Sequence, residues 1–310
     1  MVFTFNRPNY LKNFVRSHQE CAPEFNLLII DDASTDPDQI KILDDFRKQD
    51  GIEVMTAYGA SHRHGGLYQN MNEALAIAGR RGYQFMNLFQ DDMQIVRPAT
   101  DDILKACGIL DMIKHGLHIN LTFRKYLDVK NEPKICDVAN VYRSQNLQVS
   151  DTGLIHVKRA ISSGFIFQES ERAHSALAVQ LGFKGYVFRD PVCAFVPWPI
   201  FYRNKKKTKI APLGTIRKTS NVKFIRTISP DEIISLKARD IKTLPYMEEW
   251  CRPANSYWLA PYNYTNSLRD WGKRIVRSAM DGKLNWRIIP HLISPSTPVQ
   301  TPKLELKRHD

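Results

Sequence analysis

Leu27-Leu28-Ile29-Ile30-Asp31-Asp32-Ala33-Ser34-Thr35-Asp36 changes character in one step, from four consecutive apolar residues to a polar run that holds three aspartates. A strand that is apolar at every position is one buried on both faces, as in a parallel sheet covered by helices on each side. Asp36-Pro37 then marks a helix start, with Asp as N-cap and Pro at the first helical position. Working outward, residues 2–5, 52–55 and 85–89 are further short apolar runs. Between them Leu11, Phe14 and Val15 share one helical face, Ile40, Leu43 and Phe46 a second, and Leu67, Met71, Ala74, Leu75 and Ala78 a third. The first hundred residues therefore read β-α-β-α-β-α-β, an α/β fold. Beyond them the pattern predicts a helix over 99–114, extended segments at 117–124 and 147–158, a helix over 171–181 ended by Gly182, and a strand at 186–188.

The chain has 310 residues, a length that suggests roughly two compact units. With 43% hydrophobic and 25% charged residues it has the composition of a globular protein, not of a disordered or collagen-like one. No apolar run approaches the roughly 20 residues of a membrane helix, and residues 1–8 lack the basic start and long apolar stretch of a secretory signal. Five cysteines, odd in number and without a Cys-x-x-Cys pair, suit free thiols in a reducing cytoplasm better than a disulfide frame or a zinc site.

The net charge of +12 is unevenly placed. Residues 1–200 carry 22 basic and 23 acidic side chains, whereas residues 201–310 carry 22 and 9. The expected organisation is a domain over 1–200 and a basic extension over 201–310 that meets something anionic. In that extension Arg203, Lys205, Lys206, Lys207 and Lys209 form a run beside Phe201 and Tyr202, and residues 268–277 mix basic and apolar residues around Trp271 at helical spacing. The second stretch reads either as a helix packing Trp271 and Ile275 onto the protein or as one lying at an anionic lipid surface.

In open parallel sheets ligands bind beyond the carboxyl ends of the strands. Here strand one is followed by Asn6-Arg7-Pro8, strand two by the aspartate run, and strand four by Gln90-Asp91-Asp92. Adjacent aspartates at the end of a buried strand repel unless a cation neutralises them, which suggests Mn²⁺ or Mg²⁺ with phosphate oxygens completing its shell. The alternative is a solvated loop whose aspartates cap the next element.

The order of these motifs, Thr4-Phe5-Asn6-Arg7-Pro8, then an apolar strand with Asp-Asp-x-Ser-x-Asp, then Asn72 in a helix, then Asp91-Asp92, resembles the family-2 glycosyltransferases of the GT-A fold over residues 2–200. The resemblance implies a mostly parallel Rossmann-like sheet flanked by helices and a nucleotide pocket lined by Thr4, Asn6, Arg7 and Asp31, with Asp31 or Asp32 reaching uracil or ribose. It also implies a metal and diphosphate site at Asp91 and Asp92. The family usually has an acid two places before this last pair, where this chain has Phe89. A Gly followed by apolar and basic residues, Gly153 to Arg159, precedes Gln168-Glu169-Ser170-Glu171, which aligns Glu171 with the catalytic base and leaves Glu169 in reserve. Without the resemblance, Glu171 reads as a first-turn acid favoured by the helix dipole. In the loop His62-Arg63-His64-Gly65-Gly66, Arg63 is the expected phosphate or sugar contact.

These implications amount to metal-dependent, inverting transfer from a UDP-sugar to a glycan or lipid-linked acceptor, with peripheral contact to an anionic membrane as an option for the basic third. A nucleotidyltransferase is disfavoured because Asn6-Arg7-Pro8-Asn9 replaces the Gly-rich basic loop such enzymes carry after strand one. A non-catalytic nucleic-acid binder built on the lysine run is the remaining rival.

Overall fold

The computed structural model of the protein describes residues 1–57, 66–124, 133–145, 147–196, 224–247 and 251. The chain divides into two compact units, Met1–Tyr262 and Asn263–Asp310, and every described residue belongs to the first. Arg63, the lysine run 203–209 and Trp271 lie outside the described residues.

Strands β1 (Val2–Thr4), β2 (Leu27–Asp31), β3 (Ile52–Thr56) and β4 (Phe85–Gln90) alternate with helices α1 (Pro8–Cys21), α2 (Pro37–Phe46) and α3 (Leu67–Arg80), in the expected order. A short strand β5 (Met93–Ile95) and helix α4 (Thr100–Met112) follow. The sheet continues through β6 (Gly116–Asn120), β7 (Lys134–Ile135), β8 (Val141–Arg143), β9 (Gly153–His156) and β10 (Lys184–Phe188), with α5 (Val157–Ser162) and α6 (Glu171–Gln180) between the last two. β11 (Cys193–Phe195) pairs with β5 in a separate two-stranded ribbon, and α7 (Pro230–Ala238) comes last among the described helices.

The nine strands run β3-β2-β1-β4-β9-β6-β10-β8-β7. β3, β2, β1 and β4 are mutually parallel, β9 enters antiparallel to both β4 and β6, and β10 is parallel to β6. This is the α/β sheet flanked by helices that the resemblance implies, but mixed where the resemblance implies a mostly parallel one: β3, β2, β1 and β4 form the parallel part, and β9 and β8 enter antiparallel.

The apolar run of β2 shows why both faces fill. Leu27 and Ile29 lie in the core beneath α1, α2 and α4, with Val2, Phe14, Leu43 and Leu110, while Leu28 and Ile30 lie in the opposite core with Phe3, Met71, Leu75 and Ile155. Alternate residues of a strand point to opposite faces, so four consecutive apolar residues feed two cores. Phe89, at the position of the absent acid, joins the first core and packs on Phe14 with ring centroids 4.9 Å apart.

Three details depart from the sequence reading. Ile40, placed on the apolar face of α2, is exposed, and buried Gln39 takes part in the interior instead. The extended segment expected at 147–158 is strand only over Gly153–His156, since Val157 already opens α5. The first unit also runs past residue 200: Ile225, Ile228, Leu236 and Met247 are buried with Tyr10, Val96, Phe123 and Val196, so this part of the basic third closes an apolar face of the first unit.

Candidate active site at the carboxyl edge of the sheet

Register brings the strand ends level. Thr4 pairs with Asp31 and Phe3 with Gln90, and the chain stays bonded past the ends through Asp32 N to Thr4 O (2.9 Å) and Asp91 N to Phe3 O (3.0 Å). Thr4, Asp31, Asp32, Asp91 and Asp92 therefore converge on one edge because four parallel strands end there.

Asp91 and Asp92 are only 2% and 5% exposed. Asp91 accepts from Thr4 Oγ1 at Oδ2 (2.9 Å) and from the Arg7 guanidinium at Oδ1 (2.7 Å). Burial pushes the Asp91 carboxyl up to about 6, opposed by the charge of Arg7 and reinforced by that of Asp92. Gln39 locks this corner: its amide donates to Thr4 Oγ1 (3.0 Å) and its carbonyl accepts from Arg7 N (3.2 Å).

The turns after β1 and β2 hold one another. Asn6 and Ala33 both adopt the left-handed backbone conformation, φ 52° and 55°. Asn6 N donates to Ser34 Oγ (2.9 Å), and Asn6 Oδ1 accepts from Thr35 N and Asp36 N, both at 2.8 Å. Asp31 accepts from Ser34 N (2.8 Å) and Ser34 Oγ (2.5 Å), and burial outweighs these bonds to raise its pKa. Asp32 turns the other way and accepts from Gly66 N (3.2 Å) and Asn70 Nδ2 (3.1 Å), so it anchors the start of α3. The side chains of Asn6 and Asp31 thus hold the turn after β2 and that of Asp32 holds the start of α3, while Arg7 and residues 33–35 reach the surface of the edge.

Across the edge from β4 stands a second carboxyl group. Glu171 is the first residue of α6, whose N-cap Ser170 accepts from Ala173 N (3.2 Å). Its Oε1 accepts from Asp151 N (3.2 Å), and the Asp151 carboxyl lies beside Glu171, Gln90 and Asp92. Burial first, then the Glu171 carboxyl and the charge of Asp92, push the Asp151 pKa well above the usual carboxylate range. Glu169 is exposed. Asn72 commits its amide to the Phe167 backbone in both directions, Nδ2 to O at 2.8 Å and Oδ1 from N at 2.7 Å, and so ties α3 to the segment that leads into Glu171.

Gln39, Gln90 and Asp151 escape sequence reasoning. For Asp151 the available signal is its place two residues before Gly153, the glycine already singled out. That glycine has φ 115°, and a Cβ there would lie 2.6 Å from Ile119 O, so the strand start cannot vary.

Sheet order and edge together define the class: a mixed α/β sheet flanked by helices, consistent with the GT-A fold, whose carboxyl edge carries Asp91 and Asp92 with Asp151 and Glu171 near them. No protein-family model and no curated protein matches the chain. Among solved structures it is similar to residues 1–349 of TarS from S. aureus, at 19% identity over 63% of this chain and 58% of that one, with a TM-score of 0.43. It is also similar to mannose-1-phosphate geranyltransferase from Thermus thermophilus, at 13% identity over 60% and 47% of the two chains and a TM-score of 0.30. The chain spans less than two thirds of the length of either structure.

Proposed function

We propose that the protein is an inverting glycosyltransferase that moves a sugar from a nucleotide sugar, a UDP-sugar on the pattern of the resemblance, to a hydroxyl of a glycan or lipid-linked acceptor. The observation that supports this reading is that Asp91 and Asp92, just past the end of β4, face Asp151, whose backbone N–H holds Glu171 Oε1 at 3.2 Å. One set suits a diphosphate and its counter-cation, the other a proton acceptor.

The fit of a divalent metal follows from the donors. Two adjacent buried carboxyls, one raised by burial and by its neighbour, call for positive charge, and Arg7 supplies part of it. Among the described residues no group of three His, Cys, Asp or Glu is placed to hold a metal ion by itself. This donor set matches an ion held by one or two carboxylates and completed by substrate phosphates. Asp92, with Asp91 beside it, would hold Mn²⁺ or Mg²⁺, which when bound offsets charge developing on the leaving diphosphate. Arg7, a quarter exposed and already beside Asp91, stands to contact the same phosphates. Glu171 takes the proton of the acceptor hydroxyl as its oxygen attacks the anomeric carbon and the bond to the diphosphate breaks, so the configuration inverts. A positioned base of this kind contributes on the order of 10² to 10⁴ in rate.

A screen of UDP- and GDP-sugars for hydrolysis with Mn²⁺ or Mg²⁺, against chelator controls, tests the assignment. Metal-dependent release of nucleoside diphosphate from one donor is expected, and Glu171→Gln is expected to keep donor affinity while losing transfer. Failure to bind or hydrolyse any nucleotide sugar would overturn it.

A further inference from the structure

β5 is the strand that leaves Asp92, and it lies in a ribbon of only two strands, three residues each. A two-stranded ribbon is marginal by itself, so whatever holds its edges decides how firmly the Asp92 turn is fixed. On one side β11 pairs antiparallel with β5, and Val196 N donates to Asp92 O at 2.7 Å. The other edge has no strand partner among the described residues. There Ile95 N donates to Ser17 Oγ of α1 (3.1 Å), and Gln94 reaches the chain that returns beyond residue 224. The Gln94 amide, 3% exposed, donates from Nε2 to Ile225 O (2.7 Å) and accepts at Oε1 from Ile225 N (3.1 Å) and from Asn13 Nδ2 (3.0 Å). It meets both polar groups of one backbone residue, as a neighbouring strand would. Three residues on, Ile228 N donates to Val96 O at 2.8 Å. A glutamine buried in an apolar ribbon is costly unless its amide is bonded, and these three bonds offset that cost.

We propose that Gln94 is a positioning residue for Asp92: by gripping the backbone of Ile225 it braces β5, so that chain from beyond residue 224 helps to set the carboxylate seat at the end of the sheet. Asp91 N is bonded to Phe3 O and Asp92 O to Val196 N, which fixes the pair from β1 and from β11. β1 lies inside the nine-stranded sheet, whereas β11 is only as firm as its ribbon, and Gln94 closes that ribbon against Ile225. Ile225 is itself anchored. It is buried with Tyr10, Val96 and Leu236, and α7, which carries Leu236, is tied to α4 by Lys237 Nζ to Asp102 Oδ2 at 3.0 Å. A group that holds a ligand in place through intervening atoms supports metal affinity without touching the metal. The purpose assigned to Gln94 rests on the proposed function, in which Asp92 seats a divalent cation, whereas the grip on Ile225 does not.

The test compares full-length wild type with Gln94→Met, Asn13→Ala and Leu75→Ala. Gln94→Met keeps the volume and loses all three bonds, Asn13→Ala removes one of them, and Leu75→Ala loosens the core on the opposite face as a control for lost stability. The first readout is Mn²⁺ affinity in the presence of UDP, taken from the EPR signal of free Mn²⁺ at a temperature where every variant is folded. Gln94→Met should weaken it about 10-fold or more, Asn13→Ala should weaken it less, and Leu75→Ala should leave it unchanged. Wild-type affinity in Gln94→Met, or an equal loss in Leu75→Ala, overturns the proposal; if Gln94→Met does not fold, wild-type affinity in Asn13→Ala does so. The second readout needs no ligand. Amide exchange at Val196, whose N–H is bonded to Asp92 O, should quicken in Gln94→Met and Asn13→Ala while that at Asp91, bonded to β1, stays as in wild type. Unchanged exchange at Val196 would overturn the brace even in a protein that binds no nucleotide. A wild type that ignores Mn²⁺ and UDP, with the faster exchange present in the variants, would support the brace and overturn the transferase reading instead.

Discussion

At Asp91 burial and pairing pull in opposite directions. Burial alone would leave the carboxyl largely neutral, and the Arg7 guanidinium at 2.7 Å draws it back toward ionisation, to about 6. Arg7→Gln should therefore raise the Asp91 pKa above that value, which carbon-13 NMR of labelled aspartate would follow; an unchanged titration would mean that Arg7 is not its counter-charge. His118 gives a second residue-scale prediction. Its Nε2 donates to Thr152 O, and its buried Nδ1 has no hydrogen-bond partner, so protonation would bury a second N–H without an acceptor. Burial accordingly holds it down to about 4, against about 6.5 in the unfolded chain. The unfolded state binds the proton first as pH falls, so stability is full above about pH 6.5 and falls by up to about 3 kcal/mol on the way to pH 4. Urea unfolding at a series of pH values should show this acid slope in wild type and a shallower one in His118→Gln.

At the scale of elements, α2 shows how local chemistry sets a boundary. Asp36 Oδ1 accepts from Asp38 N (2.9 Å) and Gln39 N (3.2 Å), and Pro37 fills the position whose N–H needs no partner. Asp36→Ala should cost about 1 kcal/mol in urea unfolding, and since α2 carries Gln39 toward Thr4 and Arg7, it should also weaken nucleotide binding. This cap was readable in the sequence, as were β1 to β4 and α1 to α4, because consecutive apolar residues and helical stripes are local signals. The exposed Ile40 and the early onset of α5 at Val157 were not, since each depends on which neighbours the rest of the chain brings up. The same division runs through the site. Asp91, Asp92 and Glu171 stand in recognisable motifs, whereas the contact of Asp151 N with Glu171 forms only when antiparallel β9 is laid beside β4 and α6 begins 20 residues later against it. A spacing pattern carries no trace of such a contact.

At the scale of the molecule, the excess positive charge is concentrated beyond residue 200, while Asp31, Asp32, Asp91 and Asp92 meet at one sheet edge. Residues Ile225, Ile228, Leu236 and Met247 use their apolar side chains to cover Val96 and Phe123. No helix among the described residues is long and apolar enough to cross a membrane. A peripheral contact through residues 267–310 predicts salt-sensitive binding to vesicles containing anionic lipid, each Lys or Arg near the surface adding about 1 kcal/mol. Sedimentation with such vesicles should lose the bound fraction on deletion of 267–310; wild type that ignores them at low salt would assign the basic third to the diphosphate, an anionic acceptor or a partner. The claim on which the rest depends is that the carboxyl edge of this sheet binds a nucleoside diphosphate with a metal. Titration calorimetry of UDP into the full-length protein with Mn²⁺ measures it directly: wild type should bind, chelation should abolish the heat, and Asp92→Ala should lose binding while keeping a wild-type unfolding transition. Equal affinity in wild type and Asp92→Ala, or no binding with metal present, would contradict the account.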